Sequence, residues 1–149
     1  MNDPPTSRPR LRFDDVFDIV AIDDSFVDLR VLESLVLRAF RPRARMRAFL
    51  DLASARPSLA ALPPHLVIID DQMGTLRAED TLAELRGSGY LGPVAVISGG
   101  GLPGRGAELL QKGVLAYLAK DDLNITSVIT LIDQAMKHLS LWSANRDDR

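Results

Sequence analysis

Short apolar runs separated by helix-period segments constrain this chain more than any other feature. Leu66-Val67-Ile68-Ile69 is uninterrupted by polar residues and rich in β-branched side chains. Such a run reads as a strand buried on both faces, and strands of that kind belong to parallel sheets covered by helices. Ile19-Val20-Ala21-Ile22, Pro93 to Ile97 and Val114 to Ala119 repeat the pattern. Ala44-Arg45-Met46-Arg47-Ala48 supplies a fifth, polar-edged strand, whose arginines protect an edge from aggregation rather than form a phosphate patch with Arg38, Arg41 and Arg43. Five strands alternating with five helical segments predict an α/β fold with helices on both faces of a parallel sheet. Right-handed crossovers favour the doubly wound order 2-1-3-4-5, with strands one and three adjacent at the switch point.

The helices are delimited by local chemistry. Ser25 and Asp28 form an expected capping box at the start of a helix running to about Phe40, with Val31, Leu32, Leu35 and Val36 as its buried stripe. Leu50 to Ala61 contains Pro57, which predicts a break or two short pieces. Asp80 to Arg86 reads as a third helix closed by Gly87 and Gly89, and Arg105 to Lys112 as a fourth stopped by Gly113. Ile125, Val128, Ile129, Ile132, Met136 and Leu139 recur at helical spacing along a last helix that extends to Trp142.

The 149 residues, with formal net charge −2 and no cysteine, suit one globular domain without disulfides or thiolate metal sites. No apolar run is long enough to span a bilayer, and the start lacks a hydrophobic signal segment, so a cytoplasmic protein is expected. Mild acidity argues against direct nucleic-acid binding. Residues 1–15, rich in Pro, Arg and Asp, read as a disordered tail, 16–142 as the domain, and 143–149 as a frayed C-terminal tail.

In the order 2-1-3-4-5 the strands deliver Asp23 and Asp24, Asp70, Ser98 and Lys120 to one edge. Ligands of open α/β sheets bind beyond that edge. Crowded carboxylates raise one another's proton affinity unless a cation neutralises them, and Mg²⁺ suits a few carboxylates with retained waters. An Asp beside such a cation can accept a phosphoryl group, with Lys120 balancing charge on its oxygens and the Ser98 hydroxyl donating to it.

This joint pattern resembles the receiver domain of two-component response regulators: an acid pair after strand one, an acid after strand three, Ser after strand four and Lys after strand five. The resemblance covers about Phe17 to Leu141 and implies a flavodoxin-like fold in a single-domain regulator without an output domain. It implies Asp70 as phosphoacceptor, with Met73 three places on, Asp24 as a direct Mg²⁺ ligand, Asp23 acting mainly through water and Gln72 lending its backbone carbonyl. Ser98 would be the switch hydroxyl, Tyr117 the switch aromatic and Lys120 the phosphate partner. The donor would be a sensor histidine kinase or a phosphotransfer protein, and the output a downstream protein target or a homodimer. Such a chain is a phosphoacceptor and not an enzyme beyond its own phosphorylation and dephosphorylation. The family's Pro after the acceptor's Met is replaced by Gly74-Thr75-Leu76, and Lys120 precedes Asp121 instead of Pro. Asp121 is therefore expected to compete for the Lys120 charge, whereas Asp71 reads as a bystander.

Two other readings remain. The altered loops motivate a receiver-like interaction module that signals without phosphate, and a nucleophilic Asp70 also fits a Mg²⁺-dependent phosphatase. A nucleotide-hydrolase reading of Gly99 to Gly106 as a phosphate loop fails, because Gly104 is followed by Arg105-Gly106 rather than Lys and Ser or Thr. His65 and His138 read as surface residues.

Overall fold

In the computed structural model, residues 16–40 and 43–147 are described; the expected N-terminal tail at 1–15 lies outside them, as do residues 41–42 and 148–149. The elements run β1 (Phe17–Ile22), α1 (Phe26–Phe40), β2 (Ala44–Phe49), α2 (Leu52–Ala61), β3 (Leu66–Asp70), β4 (Gln72–Met73), β5 (Leu76–Arg77), α3 (Ala78–Gly87), β6 (Val94–Ser98), α4 (Arg105–Gln111), β7 (Ala116–Ala119) and α5 (Ile125–Asp147). The main sheet is parallel, in the order β2-β1-β3-β6-β7. This is the expected 2-1-3-4-5 arrangement with one addition. In the stretch around Met73, β4 and β5 pair antiparallel as a hairpin around Gly74, whose φ of 61° is the left-handed conformation that glycine adopts freely.

The two-residue period of a strand sorts the core into two layers. Ile19, Ala21, Leu66, Ile68, Ala95 and Ile97 face α1 and α5. Val20, Ile22, Val67, Ile69, Val94 and Val96 face α2, α3 and α4. Both faces of β1, β3 and β6 are therefore buried, which is why their sequences are continuously apolar rather than alternating.

Several local expectations need correction. On α1 the buried residues are Leu29, Leu32 and Val36, while Val31 is 48% exposed; the stripe is rotated because α1 packs chiefly against α5. On α5, Leu131 and Ala135 join Val128, Ile132 and Leu139 in the core, and Ile129 stays exposed. The backbone of α5 remains helical to Asp147, past the boundary at 142. Pro57 does not divide α2. The amide it lacks would have bonded the carbonyl of Ala53, and both residues lie on the exposed side, where that carbonyl is open to solvent.

At the end of the sheet remote from the acidic edge, Asp18 is buried and accepts from Arg47 at 2.9 Å and Arg45 at 3.2 Å. Arg47 also donates to Ser58 and to the carbonyl of Leu62, so this arginine ties β2 and β1 to α2 and is not available as a phosphate contact. His65 is half-buried there rather than a plain surface residue: its Nδ1 accepts the Asp18 amide at 2.9 Å and its ring stacks on Phe17. His138 is exposed, as expected.

The rotated α1 stripe sets a direct test. Leu32→Ala is expected to cost about 2–4 kcal/mol in urea denaturation, as for a fully buried leucine, and Val31→Ala less than about 1 kcal/mol.

Candidate functional site

Strand parity and register assemble the acidic edge. Ile19 pairs with Leu66 and Ile22 with Ile69, so the next step of the same register sets Asp23 beside Asp70. Asp23 continues the parity of Ile19 and Ala21, Asp70 that of Leu66 and Ile68, and Lys120 that of Ala116 and Leu118; all three turn toward the α1 face. Carboxylate oxygens of Asp23, Asp24 and Asp70 lie within 4.8 Å of one another. Asp23 and Asp70 are buried, and Asp24 is exposed.

Lys120 stands two strands from Asp70, a span of roughly 10 Å at ordinary strand spacing, and its long stem crosses that gap. It opens a 3-10 turn over Lys120–Asp122, so the missing Pro does not keep it from the site. Its Nζ lies 3.0 Å from Asp23 and 3.7 Å from Asp70, and 2.7 Å from Asp28 on the first turn of α1. Asp121 is exposed, and Asp28 takes the competing role expected of it. The capping box is thus half formed. Ser25 Oγ accepts the Asp28 amide at 3.2 Å, but the Asp28 carboxylate turns to Lys120, while Asp23 accepts the Ser25 amide at 2.9 Å.

The charges are unequal, and the proton affinities show it. Burial, reinforced by the Asp23 charge and only partly offset by Lys120, raises Asp70 to about 6. Lys120 is held protonated well above its ordinary range: burial opposes this, but the hydrogen bonds to Asp28 and Asp23 outweigh it. The same hydrogen bond from Lys120 draws Asp28 below the usual carboxylate range. A hard divalent cation fits this donor set, since three carboxylates converge on one point with a single ammonium to balance them. Gln72, at the start of the hairpin, lines the same cleft as Asp70, Ser98 and Lys120.

Ser98 is buried at the end of β6, and its hydroxyl is folded onto its own loop, bonded to the Gly100 carbonyl at 3.2 Å and the Gly100 amide at 3.3 Å. Tyr117 has the opposite parity to Lys120 and packs against α4, where a Cβ on Gly106 would stand 3.2 Å from its ring. Its hydroxyl is buried and has no hydrogen-bond partner among the described residues.

Asp71 is no bystander. One residue beyond Asp70, it turns toward the other face, where Arg105 at the start of α4 meets it at 2.5 Å and also pairs with Glu79 of α3. Arg105 is only 3% exposed, and its hydrogen bond lowers Glu79 to about 2. The sequence marked Arg105 only as a misfit in a phosphate loop. Asp28, Asp71 and Arg105 were missed because each reaches its partner through tertiary contact; the one sequence signal for Asp28 was a third acid soon after Asp23-Asp24.

Two outcomes follow from these charges. Asp70 has a folded-state pKa above its ordinary value of 3.8, so its ionisation erodes stability as pH rises from about 4 to about 6 and the loss persists above that. In chelator-containing buffer, Asp70→Asn should therefore stabilise the fold by about 1–2 kcal/mol at pH 7, with the gain vanishing below about pH 4 in urea titrations. Arg105→Ala strands Asp71 and Glu79 and should cost about 3 kcal/mol in the same assay.

No protein-family model matches this sequence, and no curated protein matches it. Solved structures do match. The signal receiver domain of a response regulator, NarL, from Mycobacterium tuberculosis is 19% identical with a TM-score of 0.70, covering 83% of this chain and 98% of that one. A response regulator receiver domain protein from Clostridium thermocellum is 19% identical with a TM-score of 0.72, covering 84% and 98%. NtrX from Brucella abortus, solved in complex with ADP, is 25% identical with a TM-score of 0.75 over 89% of this chain and 30% of its own length. The chain therefore has the flavodoxin-like fold of response regulator receiver domains.

Proposed function

We propose that this chain is a phosphorylatable receiver in which Asp70 accepts a phosphoryl group from a phosphohistidine on a sensor kinase or phosphotransfer protein. The observation that carries the reading is the convergence of Asp23, Asp24 and Asp70, with the Lys120 ammonium beside Asp23 and Asp70, at the switch point between β1 and β3. An Asp70 carboxylate oxygen attacks phosphorus, the bond from phosphorus to the donor imidazole nitrogen breaks, and the released imidazole takes up a proton. Lys120 balances charge on the phosphoryl oxygens. Ser98 donates its hydroxyl to them once it leaves Gly100. Asp23, Asp24, Asp70 and the Gln72 carbonyl would hold Mg²⁺, which supplies positive charge at the transferring group.

The consequence is a shift between conformations of the β6 and β7 edge. Ser98, tied to a loop with Gly99, Gly100 and Gly101, and Tyr117, whose hydroxyl has no partner among the described residues, are groups with an incentive to rearrange. The output is contact with a downstream protein or a second copy of the chain. Among the described residues, no helix is long and apolar enough to cross a membrane. In this reading the protein does not turn over a separate substrate.

Incubation with Mg²⁺ and acetyl phosphate, followed by intact-mass measurement, tests the proposal. Wild type should gain the mass of one phosphoryl group, while Asp70→Asn and chelator-treated protein should gain none. An unlabelled wild type would favour an interaction module that works without phosphate. Equal labelling of Asp70→Asn would remove Asp70 from its role, and multiple-turnover hydrolysis of varied monoesters would make the protein a phosphatase.

A further inference from the structure

We propose that Asp28 is a positioning residue that holds the Lys120 ammonium on the α1 side of the cleft, so that a phosphoryl group on Asp70 must compete with it for that cation. The inference rests on the reading of Asp70 as phosphoacceptor and concerns what sets the strength of that response.

Of the three carboxylates around Lys120 Nζ, Asp28 is nearest at 2.7 Å, and Asp70, the one that would carry the phosphoryl group, is farthest at 3.7 Å. The placement of Asp28 is built rather than incidental. Its amide is bonded to Ser25 Oγ, and the Ser25 amide is bonded to Asp23 Oδ1, so one turn of chain fixes Asp28 relative to the acidic cluster. Asp28 is not one of the three carboxylates that converge on a common point, which leaves pairing with Lys120 as its contribution. It lines the small cavity under α1 together with Asp23, Asp70 and Lys120, so Asp28 and Asp70 border the same space as the ammonium. Asp28 is also the more exposed partner, with 39% of its side chain accessible against 10% for Asp70. Water screens its attraction for Lys120, so the hold is releasable.

The energetic consequence is a competition. Removing the Asp28 charge leaves Lys120 with Asp23 and Asp70, so less interaction is lost when a phosphoryl group draws the ammonium over. A charge-assisted hydrogen bond at a partly exposed site corresponds to roughly a fivefold change in affinity.

The experiment measures beryllofluoride, a phosphoryl mimic, binding to the intact protein with Mg²⁺ by titration calorimetry, alongside the lifetime of the acetyl phosphate-labelled form. Asp28→Asn should bind the mimic about fivefold tighter and keep its label longer, while Asp28→Glu, which restores the charge, should return toward wild type. Asp133→Asn removes an equal charge from an exposed pair with Lys137 on α5 and should leave both readouts unchanged. A purely structural role for Asp28 would lower the melting temperature of Asp28→Asn without tightening binding. That result, or weaker binding, overturns the inference and leaves Asp70 as acceptor intact. If wild type takes up neither the mimic nor phosphate, the acceptor reading fails and this one with it.

Discussion

Burial of the central sheet on both faces is the constraint from which the site follows. A parallel strand covered by helices on each side cannot slip by one residue without exchanging its two apolar faces, so the register of β1 against β3 is firmly specified. That register, carried one step past the last apolar pair, sets Asp23 beside Asp70. The alternation of side chains then separates neighbours in sequence by function. Asp70 turns toward α1 and the charge cluster, whereas Asp71 turns toward α3 and α4 and becomes the anchor for Arg105. Two adjacent aspartates serve two faces of the same sheet for purely geometric reasons.

At the acidic edge, like charges are brought closer than they would choose. Asp23, Asp28 and Asp70 surround one ammonium with Asp24 close beside them, and burial together with the Asp23 charge raises Asp70 to about 6. The edge is therefore stocked with repulsion that a cation or a rearranged lysine relieves, and the fold carries this cost because the apolar layers beneath it are extensive. The opposite end of the sheet shows the contrasting solution. There the buried Asp18 meets two arginines and a backbone amide accepted by His65 closes the same corner. With one carboxylate against two guanidiniums that contact is a fastening, whereas the other end holds more carboxylates than cations.

Arg105 marks where a glycine-rich loop meets an anchored helix. The run Ser98 to Gly104 has little side chain to hold it, yet α4 immediately afterwards is pinned by a buried guanidinium to Asp71 and Glu79. The start of α4 is thereby registered to the end of β3, independently of the Ser98 loop. Tyr117, packed over Gly106 on the same helix, couples β7 to that anchored element through ring contact rather than through its hydroxyl.

The order of the five main-sheet strands and five helices, the parallel sheet and the convergence of Asp23, Asp24, Asp70, Ser98 and Lys120 could be read from the chain, because continuous apolar runs and their terminal polar residues are local signals that topology merely arranges. Helix faces were less legible: Val31 and Ile129 fit an apolar period but lie outward, since which arc of a helix is buried depends on the neighbour it meets. Pro57 looked like a breaker because sequence does not show that the carbonyl it frees faces water. The pairings of Lys120 with Asp28, and of Arg105 with Asp71 and Glu79, join residues far apart in the chain. Sequence by itself determined the fold and which strand-end groups reach the acidic edge, through hydrophobic periodicity. Tertiary structure alone decided which carboxylate each cation chooses, because that choice depends on distances and burial that exist only after the strands and helices have packed.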